Sequence, residues 1–107
     1  MFGTVFHMRP KPGMESAIED LFRREENARR MPTGFITGYL FRSRSHPREM
    51  IGVAVFDTED SYWRNAKDPE QDRWYRQLRE LLEEDPDWND GDVLVAQNEL
   101  STVMLGP

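Results

Sequence analysis

The sequence predicts an α+β sandwich: a four-stranded antiparallel sheet with two helices on one face, in the order β-α-β-β-α-β. Three observations carry that expectation. Apolar segments rich in β-branched and aromatic residues stand at 2–9, 34–42, 49–57 and 92–99. Two stretches with a helical period, from Met14 and from Pro69, separate the first strand from the second and the third from the fourth. The second and third strands are joined by a short polar loop, the spacing of an antiparallel hairpin. This order is the ferredoxin-like arrangement. At 107 residues the chain suits one such domain, 1–107.

Each element has a local cause. Residues 2–9 read as a strand, and Pro10, Lys11, Pro12 and Gly13 break it. From Met14 the residues Met14, Ala17, Ile18, Leu21, Phe22 and Ala28 fall on one helical face. The opposite side carries Glu19–Arg23, Asp20–Arg24, Glu25–Arg29 and Glu26–Arg30, each an i,i+4 pair with the acid first, the favourable order. Pro32 and Gly34 end this helix. Strands at 34–42 and 49–57 flank the polar loop 43–48. Thr58 opens a short helical turn through Lys67. Asp68 then reads as an N-cap with Pro69 at the first helical position and Gln71 three residues after the cap. That helix is expected to run to about Glu84, with Trp74, Tyr75, Leu78, Leu81 and Leu82 inward, until Asp85-Pro86 stops it. Asn89-Asp90-Gly91 reads as a turn before a last strand at 92–99.

Composition narrows the chemistry. There is no cysteine, which excludes disulfides, thiolate metal sites and cysteine nucleophiles. Net charge is −6. Residues 1–53 carry +3 and residues 54–107 carry −9, a balance that disfavours nucleic-acid backbones. Glu83 to Asp92 holds six acids and no base and reads as a solvated turn; Pro86 and Trp88 interrupt any calcium-loop spacing. Arg9 and Pro10 cut the first apolar stretch too early for a signal peptide, and no run is long enough to span a membrane. The expectation is a cytoplasmic protein with neither membrane nor nucleic-acid partner.

The strands carry a further message. Phe2, Phe6 and Met8 alternate with Val5 and His7. Phe35, Tyr39 and Phe41 alternate with Ile36 and Leu40. Met50, Ala54 and Phe56 alternate with Ile51, Val53 and Val55. Both sheet faces are therefore apolar, whereas an antiparallel sheet with one wet face alternates cleanly. Two helices cover one face only, so a homodimer packed sheet to sheet is expected.

Site candidates are few. His7 and His46 are the only histidines, so no histidine-rich metal site can form. His46 sits in the polar loop. His7 reads either as a structural histidine in the sheet or as a pocket base. Tyr62, Trp63, Trp74 and Tyr75 crowd together around the last helix, some as core and some as walls with polar tips. A cavity between this helix and the sheet would suit a flat aromatic molecule, with Asn65 offering an amide.

Three stretches resemble the antibiotic biosynthesis monooxygenase family of the dimeric α/β-barrel group: RPKPGMESAIEDLF, GFITGYLFRSRSHPREMIGVAVF and DTEDSYWRNAKDPEQDRWYRQLRELL. The resemblance implies a protomer that dimerises through its sheet and holds a pocket between sheet and helices. It implies a cofactor-independent monooxygenase or quinol oxidase acting on a flat, electron-rich aromatic. For that chemistry the residues of this chain offer His7 and Tyr75 as catalytic candidates and Asn65, Trp63, Trp74 and Tyr39 as substrate-binding candidates. The alternatives are a non-catalytic binding or stress-response protein of the same fold, and a haem-binding or haem-degrading one. The haem-degrading branch places Asn, Trp and His where this chain has Phe6, Phe56 and Tyr75, which weakens that reading, although tyrosine can ligate haem iron. No metal or other cofactor is expected.

Overall fold

The fold comes from a computed structural model that describes residues 1–27 and 31–97. Four strands, β1 (Phe2–Met8), β2 (Phe35–Arg42), β3 (Met50–Phe56) and β4 (Asp87–Asp92), form one antiparallel sheet in the order β2-β3-β1-β4. The helices are α1 (Glu15–Asn27), α2 (Glu59–Ala66) and α3 (Pro69–Glu80). The ferredoxin-like α+β architecture is as the sequence predicts, with the short turn after Thr58 grown into a helix of its own.

Local signals explain most boundaries. Thr58 caps α2, its Oγ1 accepting from Ser61 N at 3.1 Å. Asp68 caps α3, its Oδ1 accepting from Glu70 N at 2.8 Å, with Pro69 at the first turn. Gly34 has φ +85°, and a Cβ there would strike the Asp57 and Ser61 side chains, so the entry to β2 requires glycine. The Glu19–Arg23 pair forms at 3.6 Å. The expected pairs Glu25–Arg29 and Glu26–Arg30 lie outside the described side chains, and Pro32 and Gly34, expected to end the helix, stand beyond α1 outside any helix.

Three expectations are corrected. First, α3 stops at Glu80 rather than Glu84. The backbone beyond it is taken by the chain after β1: Lys11 N donates to Leu81 O and Glu83 N to Arg9 O, each at 2.9 Å, and Pro10 bridges Leu82. Second, the last strand is Asp87–Asp92, not 92–99. Asn89, Asp90 and Gly91 lie within it, paired with Val5, Thr4 and Gly3. The free edge of β1 overrides the turn preference of those residues. Trp88 packs on Phe6, with ring centroids 4.8 Å apart, and Asn89 Nδ2 donates to Val5 O at 3.2 Å. Residues 93–97 are not strand, and 98–99 lie outside the described residues. Third, β2 carries a bulge at Ile36, between the pairs Phe35–Phe56 and Thr37–Val55. It turns Phe35 inward and Tyr39 and Phe41 outward, so these three do not share a face.

The core lies between sheet and helices. Phe6, Met8 and Met50 from the sheet meet Ile18, Leu21, Leu78 and Leu82, with Phe22, Leu40, Trp74, Tyr75 and Leu81 packed around them. Phe6 lies across Gly52, in the space any side chain there would need. The other sheet face presents Val5, Tyr39 and Phe41, all exposed, around half-buried His7, Ile51, Val53 and Val55. No helix among the described residues is long and apolar enough to cross a membrane.

Candidate functional site

A cleft of about 620 Å³ opens between the inner sheet face and the three helices and continues round the β2 edge, where Thr37, Tyr39, Phe41 and Val53 also line it. Its floor is a consequence of strand register. Opposite residues of an antiparallel pair point to the same face. Gly38, Ala54, Thr4 and Asp90 therefore form one row across β2, β3, β1 and β4. Bulky residues stand on either side of that row. One neighbouring row is Leu40, Gly52, Phe6 and Trp88, with the Phe6 ring over Gly52; the other includes Phe35, Phe56 and Phe2. Small residues between large ones make a trough.

The walls come from the helices. Phe22 on α1 meets Trp74 on α3 edge to face at 4.9 Å, and Trp74 Nε1 donates to Leu21 O at 3.3 Å, which ties α3 to α1. Asn65 on α2 and Gln71 on α3 supply side-chain amides to the wall. At the mouth, Glu19 stands 3.6 Å from both Arg23 and Arg42. These pairs are exposed and screened, so they shape the entrance more than they stabilise the fold.

The inner end is polar. Tyr62 is packed between Phe2, Phe56 and Trp63, at centroid distances of 5.2, 5.6 and 4.9 Å. Its hydroxyl donates to Asp90 Oδ1 at 2.8 Å. Burial first, and then the bond to Asp90 and the charge of that carboxylate, push the Tyr62 phenol up to about 12. The Thr4 hydroxyl lies close enough to Tyr62 to act weakly the other way. Thr4 itself is 4% exposed, and its Oγ1 has no hydrogen-bond partner of acceptable geometry.

The residues singled out from the sequence divide. Asn65 and Trp74 line the cleft, and exposed Tyr39 stands at its β2 rim. Trp63 is not on the wall; it packs against Phe2 and Tyr62 and donates Nε1 to Glu59 at 3.0 Å. Tyr75 is also off the wall, half-buried beside Trp88 at 6.2 Å, with its phenol raised by burial first. An iron-ligating role for Tyr75 in this cleft therefore does not fit the residues present. His7 faces the opposite side of the sheet, paired with Ile51 and Asp87, beside a smaller polar cavity of about 240 Å³. His46 is exposed in its loop, with Nδ1 3.3 Å from Ser45 Oγ.

Sequence reasoning missed Thr4, Gln71 and the Tyr62–Asp90 pair. Thr4 had a signal: it is the one polar residue among the inward positions Phe2, Phe6 and Met8 of its strand. Asp90 had none, since its segment reads as a turn.

The family model described as antibiotic biosynthesis monooxygenase matches residues 1–77. No curated protein sequence matches significantly. Among solved structures, SnoaB, a cofactor-independent oxygenase from Streptomyces nogalater, superposes with TM-score 0.76 at 18% identity, over 92% of this chain and 97% of that one. Rv0793 from Mycobacterium tuberculosis gives 0.75 at 16% identity, over 91% and 98%. A conserved protein from Methanosarcina mazei Go1 gives 0.74 at 14% identity, over 84% and 89%. At these identities the likeness speaks for the fold.

Proposed function

The chain belongs to the antibiotic biosynthesis monooxygenase family, and from that premise we propose that it is a cofactor-independent oxygenase or quinol oxidase for a flat, electron-rich aromatic. The observation that carries this reading is the cleft: a trough walled by Phe22, Trp74 and Phe6, with amides at Asn65 and Gln71 and the charged Glu19, Arg23 and Arg42 at its mouth. Such a surface grips a ring system by stacking and orients it through a few polar contacts. The named activity of SnoaB is consistent with it.

The chemistry asks little of the protein. An anthrone or hydroquinone becomes reactive towards oxygen once it loses a proton. For an anthrone, one oxygen atom becomes the new carbonyl and the other leaves as water. The cleft contributes by excluding water, holding the ring and placing donors near the anion that develops. Asn65 and Trp74 act as substrate-binding residues and Tyr39 as part of the rim. His7 and Tyr75, away from the wall, are given no chemical step.

Oxygen uptake by the metal-free protein with a panel of anthrones and hydroquinones tests this. The expected result is uptake above autoxidation, unchanged by chelator, and cut about tenfold in Asn65→Ala through loss of the amide contact. Binding of such compounds with no uptake would instead mark a non-catalytic binding protein.

The uncovered sheet face is proposed to pack on a second copy. Val5, Tyr39 and Phe41 are 41, 59 and 51% exposed on it, and Leu94 and Val95 after β4 are 91 and 75% exposed. Exposed apolar side chains on an uncovered sheet face are the mark of an interaction surface. Sedimentation at micromolar concentration should give twice the chain mass of 12.7 kDa. A clean monomer would refute the dimer.

A further inference from the structure

We propose that the mouth of the cleft is a carboxylate site built from Arg23 and Arg42, and that the aromatic it takes carries its acid on a short flexible arm. This rests on the reading of the cleft as an aromatic-binding site and specifies the charge of what enters.

The lining is charged against the trend of the chain. The protein as a whole carries −6. Among the described residues that line the cleft, the charged ones are Glu19, Arg23 and Arg42, one acid against two bases. An excess of positive charge in an otherwise acidic protein draws to this place an anion that is repelled elsewhere.

The geometry leaves those bases under-used. Glu19 Oε2 stands 3.6 Å from Arg23 Nη2, and its Oε1 stands 3.6 Å from Arg42 Nη2. One carboxylate is split between two guanidiniums. Both distances exceed the roughly 2.7–2.9 Å of a charge-assisted hydrogen bond. Neither arginine has a second ionic partner among the described residues. Arg48 and Arg76, by contrast, each have an acid to themselves, Glu83 and Asp72, at 2.9 Å. The side chains of Arg23 and Arg42 are both exposed, so a ligand can reach them. Each presents a planar fork of donors that matches a carboxylate.

Position sets the length of the arm. Arg42 follows Gly38 and Leu40 along the inward row of β2, opposite the core residue Met50. It stands four residues beyond Gly38, about 13 Å along the strand. Leu40 lies between the two. A ring over Gly38 and Ala54 therefore does not bring an acid on its own edge to Arg42, whereas an acid at the end of a short methylene chain spans the step.

Calorimetric titration of the full chain with 3-(2-naphthyl)propanoic acid and its primary amide, at neutral pH and low salt, tests the proposal. The two have the same shape and differ in charge. The intact protein should bind the acid about tenfold more tightly. Added salt should shrink that preference, because both arginine heads are exposed. Arg42→Gln should erase most of it by weakening the acid alone. Glu19→Gln removes the competing carboxylate and should raise the preference about threefold, a gain that damage to the fold would not produce. Equal affinity of the intact protein for acid and amide would overturn the carboxylate site while leaving the aromatic cleft standing. So would an undiminished preference when Arg23→Gln and Arg42→Gln are combined, or a preference that does not rise in Glu19→Gln. Failure of the intact protein to bind either compound would remove the aromatic-cleft reading, and this inference with it.

Discussion

Gly52→Val should destabilise the protein by about 3 kcal/mol, at the upper end of what overpacking a core costs. The Phe6 ring occupies the space a Cβ at Gly52 would need, and Phe6 is 6% exposed in the middle of the core. The ring cannot retreat freely, because Trp88 packs against it at 4.8 Å. For a domain of this size the loss corresponds to a fall in Tm of roughly 15 °C. Adding Phe6→Leu should recover part of it, since a smaller side chain frees the space, and the two substitutions should be non-additive in denaturant melts. A change below about 1 kcal/mol in Gly52→Val would mean that the packing of Phe6 on the strand backbone is not what holds the sheet to the helices.

Ala54→Leu should act on binding where Gly52→Val acts on stability. Ala54 is half-buried and lies in the trough between Gly38 and Thr4, where the added atoms would extend into open cleft rather than into packed core. The fold should tolerate it, with a Tm shift of only a few degrees. A ring could then no longer enter the trough, and affinity for 2-naphthol should fall about a hundredfold, equivalent to roughly 2.8 kcal/mol. Unchanged affinity in a folded Ala54→Leu protein would place the ligand elsewhere.

These two substitutions also show what could be read before the structure. The strand–helix order was legible because each element carries its own local signal: the break at Pro10–Gly13, the hairpin loop, the caps at Thr58 and Asp68. What was not legible depended on distant pairing. Gly91 looks like a turn residue until β1 offers it an edge, and 81–83 look helical until residues 9–11 take their backbone groups. The bulge at Ile36 leaves no mark in composition, yet it decides which face Tyr39 and Phe41 occupy. The site follows the same division. Asn65 and Trp74 could be found from the density of aromatic and amide groups around the helices. The Thr4–Tyr62–Asp90 end could not, since it joins β1, α2 and β4 across the sheet. Alternation alone could not assign His7 to a face, because a shift of one residue exchanges the two faces; the register with Ile51 and Asp87 sets it on the uncovered one.

The account rests on the inner cleft, rather than the apolar outer face, being the place where an aromatic binds. Amide and methyl NMR spectra of the intact protein titrated with 2-naphthol test this most directly. The predicted result is saturable shifts at Thr4, Ala54, Asn65 and the Trp74 indole, with Val5, Ile51 and Val55 unmoved. Shifts confined to Val5, Ile51 and Val55, with Thr4 and Ala54 silent, would contradict it.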